Sequence, residues 1–206
     1  MNKLKNWQFL VVEGIDGSGK STIAKKIFDE LKGAAALFCE PTENSPHRTR
    51  IRAILAGDEG EVDDEKNSVL RRLFLEDRVW NIKNNLEPAI QRSKKVILDR
   101  YFFSTAAYQG KDETEARGIA AEYLTLPEIL MPDVVLYIDI AEETALDRLN
   151  ARAGHTEVFE KLEFLKKVHK NYNSLFTSTD YEFPIRKIDG AKTPEEVWLE
   201  VSNIIF

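Results

Sequence analysis

The stretch Gly14-Ile15-Asp16-Gly17-Ser18-Gly19-Lys20-Ser21-Thr22 fits the spacing G-x-x-x-x-G-K-[ST]. Gly14, Gly17 and Gly19 permit a turn tight enough for successive backbone N–H groups to face inward. At a helix N-terminus such a cradle takes phosphate oxygens. Lys20 then brings a point charge to the β- and γ-phosphates of a nucleotide, and Ser21 offers a hydroxyl to Mg²⁺. The loop by itself does not separate ATPases, GTPases and small-molecule kinases. The N-K-x-D or T-K-x-D tetrapeptide expected of a guanine-specific switch protein does not occur in the chain.

The surrounding elements have to hold this loop. Gln8 to Glu13 reads as a fully buried strand, and Ser21 to Leu31 as the helix after it. Ala34 to Phe38 is a short second strand that delivers Cys39-Glu40-Pro41-Thr42 to a loop. Arg48 to Leu55 has helical spacing, Gly57 to Asp64 reads as an exposed loop, and a long helix runs from about Glu65 to Leu86 with Pro88 at or just beyond its end. Val96 to Tyr101 forms a third strand with Asp99 at its carboxyl end, the end at which open α/β sheets bind ligands. A helix starts in Ser104 to Gly110, and Ile119 to Leu126 follows. Asp133 to Ile138 is a fourth strand, followed by helices at Glu142 to Ala153 and Val158 to Phe176. Ile185 to Ile188 is a last strand, and Pro194 to Ile205 a last helix capped near Thr193 or Lys192. Alternating strands and helices predict an α/β fold: a parallel sheet with helices on both faces, in one domain spanning 1–206.

Composition narrows the function. The 206 residues carry a formal charge of −6, which argues against nucleic acid as the main partner. One cysteine, Cys39, rules out an internal disulfide and a cysteine zinc site, and three scattered histidines make no metal cluster. The apolar run from Phe9 ends at Glu13, too short for a signal peptide or a membrane span, so the expectation is a soluble cytoplasmic protein.

Five stretches together resemble the thymidylate kinase (dTMP kinase) family: Glu13 to Ser21, Glu40-Pro41, Phe74-Leu75-Glu76-Asp77-Arg78, Asp99 to Gly110, and Pro132-Asp133. The resemblance covers nearly the whole chain, and the run from Asp99 to Gly110 is its most specific element. It implies a three-layer P-loop NTPase fold with a five-stranded sheet, ATP as donor with Mg²⁺, and dTMP as acceptor. It also implies that Phe74 stacks on thymine and Arg78 donates to a base oxygen. Arg52 and Arg100 would hold the acceptor phosphate, with Arg48 and Arg50 as rivals to Arg52. Glu40, Pro41 and Ser104 line the acceptor site, Thr105 contacts the base, Gln109 supports the pocket, and Tyr108 crowds the sugar 2′ position. Asp99 resembles the acid that orients Mg²⁺ through water, and Asp16 is a candidate for the acceptor 3′-hydroxyl or an ion near it. Lys20, Asp99 and Arg100 form the catalytic set with an arginine from a lid at about 148–160. Gly14 to Thr22 and Arg148 hold the donor.

The chain departs from the family pattern twice. Cys39 stands where an arginine usually precedes Glu-Pro. In the lid, Val158 replaces an arginine of the second cluster, leaving Arg148 and Arg152, with Arg152 as the expected transition-state arginine. The resemblance also implies a homodimer through helices packed side by side. Leu70, Leu73 and Trp80 suit either that interface or the protomer's own core. Two other readings stay open: a kinase for another deoxynucleoside monophosphate or a deoxynucleoside, and a nucleotide-binding regulatory protein without turnover. A nucleoside acceptor would need a general base, for which Glu13 and Asp99 are the available carboxylates.

Overall fold

In this computed structural model, residues 4, 6–57, 63–153, 158–177 and 181–206 are described, with the backbone alone at 152–153 and 158–161. Strand β1 (Phe9–Glu13) is buried along its whole length, as a central strand covered on both faces must be. Its alternate side chains enter different cores. Phe9 and Val11 join one cluster, and Leu10 and Val12 the other.

The other strands are β2 (Ala35–Cys39), β3 (Lys95–Asp99), β4 (Val134–Asp139) and β5 (Ile185–Asp189). All neighbours pair parallel in the order β2-β3-β1-β4-β5. On one face lie α1 (Lys20–Glu30) and α9 (Pro194–Ile205), through Ile23, Ile27, Val197 and Val201. The other face is covered by α5 (Phe102–Gln109), α6 (Glu113–Thr125), α7 (Glu142–Ala153) and α8 (Val158–Thr177). Three layers result, as expected for the P-loop NTPase fold. The cap of α9 is Thr193: its hydroxyl accepts from the Glu196 amide and the Glu196 carboxylate accepts from the Thr193 amide.

The register sets the chemistry. Val12 pairs with Asp99, Glu13 with Tyr137 and Cys39 with Asp99, so these residues share the carboxyl edge of the sheet where the strand order reverses around β1 and β3. Helices α2 (Arg48–Ala56) and α3 (Asp64–Asn81) stand beside that edge, locked together by Ile51, Ile54, Leu70 and Leu73. Leu70 and Leu73 therefore serve the protomer's own core.

The long helix differs from its expected course. After α3 the chain passes through a π-helical turn, Ile82–Leu86, and continues as α4 (Glu87–Gln91) with Pro88 inside it. The Glu87 amide reaches back to the Ile82 carbonyl, widening the turn just where Pro88 lacks an N–H and its ring needs room. The proline is absorbed, and the helix continues past it.

Candidate active site

The phosphate loop leaves β1 at Gly14 and enters α1 at Lys20. A Cβ on Gly17 would stand 2.4 Å from the Ala145 carbonyl oxygen of α7, and its φ is +84°, so glycine is required there on both counts. Gly19, at φ +92°, turns the chain into α1. Ser18 is buried with its hydroxyl unpartnered, while Ser21 and Thr22 are exposed on the first turn of α1. The Lys20 ammonium lies on its own loop, 3.3 Å from the Ile15 carbonyl and 3.6 Å from Asp16 Oδ1. Burial, then the Arg100 charge, holds Lys20 down at about 8, against the pull of Asp16, Asp99 and Glu13. Arg148 donates to the Gly190 carbonyl at 3.0 Å, which places it over the loop that follows β5. The Arg152 side chain lies outside the described residues.

Beside the loop is a cavity of about 640 Å³. Asp16, Glu40, Pro41, Arg52, Phe74, Arg78, Arg100, Ser104, Thr105, Tyr108 and Gln109 all stand on its wall. Arg52 is the member of its trio that lines it, whereas Arg48 donates to the Pro41 carbonyl at 2.6 Å. Phe74 is half-buried between this space and the cluster joining α2 to α3.

Arg78 shows how the wall is held. Its Nε and Nη2 donate to Glu40 Oε2 at 3.0 and 2.6 Å, and Nη2 also reaches Thr105 Oγ1 at 3.1 Å. The guanidinium lies over the rings of Tyr101 and Tyr123. Nη1 is buried with no partner. Burial pushes the Glu40 carboxyl up to about 7 even with this cation beside it. The Glu40 loop is fixed a second time, because Asp77 Oδ2 accepts from the Thr42 amide at 2.9 Å and from its hydroxyl at 3.0 Å.

A second network surrounds Arg100, which adopts φ +72° just after β3. Its Nη2 donates to Asp16 Oδ1 at 2.5 Å and to the Tyr108 hydroxyl at 3.3 Å, and its Nη1 to Ser104 Oγ at 3.1 Å. The Tyr108 hydroxyl accepts from the Asp16 amide and donates to Asp16 Oδ2, both at 3.0 Å. Burial acts to raise Asp16, but the Arg100 and Lys20 charges outweigh it, so the carboxyl lies below its ordinary value. Asp99 Oδ1 is buried without a hydrogen-bond partner. Glu13, by contrast, accepts from the Tyr101 and Ser104 amides and from the Ser104 and Tyr172 hydroxyls. No lone pair on Glu13 is free for base catalysis.

Several wall residues lie outside the motifs, Asn67, Phe164 and Lys167 among them. Asn67 of α3 donates to the Gln109 carbonyl at 2.8 Å. From α8, Lys167 donates to the Tyr108 carbonyl at 2.9 Å, and Phe164 meets the Tyr108 ring edge-on at 5.9 Å. Cys39 is exposed and off the wall.

No helix among the described residues is long and apolar enough to cross a membrane. A family model described as thymidylate kinase matches residues 12–198. A thymidylate kinase of Leptospira borgpetersenii is 36% identical over 99% of this chain and 96% of its own. One from Leptospira interrogans is also 36% identical, over 96% and 93%, and one from Brachyspira hyodysenteriae 32% identical, over 96% and 93%. With a family match across most of its length and relatives of this similarity covering nearly all of it, this chain belongs to the thymidylate kinase family.

Proposed function

We infer that the chain transfers the γ-phosphoryl group of ATP to dTMP, giving ADP and dTDP. The observation that carries this reading is a cavity beside the phosphate loop whose wall holds both Phe74 and Arg78, the latter with its Nη1 unpartnered. A pyrimidine carbonyl would satisfy that donor, and a flat ring would lie on Phe74.

The acceptor needs no strong base. A phosphate monoester has a second pKa of about 6, so its attacking oxygen is already ionised at neutral pH. Catalysis is then positioning and charge neutralisation. Arg52 and Arg100 take the acceptor phosphate, while Lys20 and the loop amides take the donor. Tyr108, its hydroxyl committed to Asp16 and Arg100, stands as a fixed wall against a 2′-hydroxyl. Thr105 contacts the base and Gln109 supports the pocket. Ser104 shapes the pocket from beside Arg100.

Among the described residues no three His, Cys, Asp or Glu gather as a metal cage. Mg²⁺ needs only one or two protein oxygens beside the phosphates. The orphaned Asp99 oxygen and the exposed Ser21 hydroxyl fit that role, Asp99 through water. Bound there, Mg²⁺ would neutralise charge on the β- and γ-phosphates. Arg148 belongs to the donor side, and Arg152, in a lid at about 148–160, is the transition-state arginine. We assign one domain, a homodimer and a cytoplasmic setting on the strength of the family resemblance.

A coupled assay for ADP across a panel of nucleoside monophosphates and thymidine tests the reading. Turnover with dTMP above all other acceptors is expected. Preference for another acceptor, or ATP binding without turnover, would sink it.

A further inference from the structure

Glu13 closes β1 with its carboxylate buried, and it makes three contacts on groups just after β3 and a fourth on α8. Oε1 accepts from the Tyr101 amide at 2.7 Å and the Ser104 amide at 3.2 Å. Oε2 accepts from Ser104 Oγ at 2.7 Å and from the Tyr172 hydroxyl at 2.8 Å. The two amides flank the first turn of α5, whose own N-cap residue, Tyr101, supplies no side-chain acceptor. Glu13 therefore caps α5 from another strand.

Capping alone would leave two features without purpose. Ser104 Oγ lies 2.7 Å from Glu13 Oε2 and 2.8 Å from the Tyr172 hydroxyl and accepts from Arg100 Nη1, so the clamp extends to the guanidinium. Tyr172 comes from α8, the helix that follows the segment around 154–157, and is buried between Tyr137 and Phe176. The Tyr172 hydroxyl reaches Ser104 Oγ both directly, at 2.8 Å, and through Glu13 Oε2, at 2.8 and 2.7 Å, and Ser104 Oγ leads on to Arg100 at 3.1 Å. Glu13 tethers the left-handed turn at Arg100 on its carboxyl side as well.

We propose that Glu13 is a positioning residue for Arg100, and that Tyr172 brings α8 into the same clamp, so that the seating of α8 sets how Arg100 meets the acceptor phosphate. The proposal rests on the dTMP kinase reading for the role of Arg100. Burial raises Glu13 above its ordinary value, and the Ser104 hydrogen bond and the Arg100 charge draw it only part of the way back.

Tyr172→Phe removes one oxygen and keeps the ring stacking. In this variant kcat should fall about tenfold and in Glu13→Gln about a hundredfold, the scale of a slightly misplaced catalytic group, with KM for ATP within about twofold of wild type. The decisive measurement is a double-mutant cycle with Arg100→Lys. If Tyr172 acts through Arg100, Tyr172→Phe costs less than about twofold in the Arg100→Lys background. Additive losses, or a kcat loss matched by equal loss of ATP binding and of melting temperature, would overturn the proposal. NMR of the Arg100 guanidinium protons without nucleotide reads the clamp apart from turnover. Faster exchange in Tyr172→Phe is expected, and an unchanged signal overturns the clamp even where dTMP is turned over. Wild-type protein that makes no ADP with dTMP, while Tyr172→Phe still shows the faster exchange, would fail the dTMP reading and leave the clamp standing.

Discussion

On the side proposed for the donor, the loop from Gly14 to Lys20 presents backbone and a single cation, and that cation rests on the loop itself, 3.3 Å from the Ile15 carbonyl. On the side proposed for the acceptor, the wall presents side chains that already hold one another, with Arg78 on Glu40 at 2.6 Å and Arg100 on Asp16 at 2.5 Å. The donor grip has to exchange an internal contact for phosphate when it fills. The acceptor grip is assembled beforehand, and its cost is borne by folding. Donor affinity should accordingly answer to backbone shape and pH, and the acceptor wall to the stability of its ion pairs.

The sharpest way to break this contrast is Gly17→Ala. The added methyl meets the Ala145 carbonyl and an unfavourable φ, so turnover should fall by about a hundredfold or more, the scale of a displaced reacting group. Calorimetric dTMP affinity should stay within a few-fold; if it falls in step with turnover, the two halves are not separately built.

Next in size is Glu40→Ala. It strands a buried guanidinium and should cost about 3–5 kcal/mol in urea unfolding. Asp16→Asn alters a pair whose carboxylate is 48% exposed and should cost less than about 1 kcal/mol while still lowering kcat. Equal stability losses would show that the two acceptor networks do not differ in kind.

A smaller effect tests the donor side through pH. Lys20 sits at about 8 in the free protein, and a polyphosphate stabilises its charged form. Below pH 8 the lysine is protonated both free and bound, and affinity is flat. Above it, binding must take up a proton, so ATP affinity should fall by up to about tenfold per pH unit, with dTMP affinity level. A flat ATP profile from pH 8 to 9.5, measured by titration calorimetry, would place Lys20 outside the donor grip.

The smallest effect lies away from both halves. His169 of α8 meets Asp139 and Glu142, each at 2.7 Å, and a neutral ring can donate to only one of them. The Asp139 hydrogen bond, against burial and with help from Glu142, raises His169 above its ordinary value, while Asp139, further bound by Lys187, lies well below its own. The stability His169 contributes is therefore fully present below pH 6.5 and lost as pH rises through its folded value. Denaturant melts from pH 6 to 9 should show that decline, and His169→Gln should abolish it.

The donor half was legible because its chemistry is local: glycines, a lysine and a serine at fixed offsets behind an apolar strand. Much of the acceptor wall was legible as well, since Glu40-Pro41, the Phe74 to Arg78 run and the Asp99 to Gly110 run are short motifs. What sequence spacing hid is the pairing between them. Phe74 to Arg78 does not say that Glu40 takes Arg78, and Asp77 carries no sign that it will hold Thr42. Phe164 and Lys167 look like an ordinary amphipathic helix until α8 is laid beside Tyr108. Tyr172 falls at core spacing and is indeed buried, yet its hydroxyl has a polar errand. The π-helical turn escaped for a different reason, because Pro88 ordinarily signals a stop and here the backbone widened to let it pass.

Arg100 keeps a backbone conformation that a residue bearing a side chain adopts only under compulsion. Exchanging it for glycine would relax the main chain and delete the cation in one step. Selection for heat resistance and selection for catalytic speed thus pull this position in opposite directions, and efforts to toughen the enzyme should look for their gains anywhere but between Asp99 and Ser104.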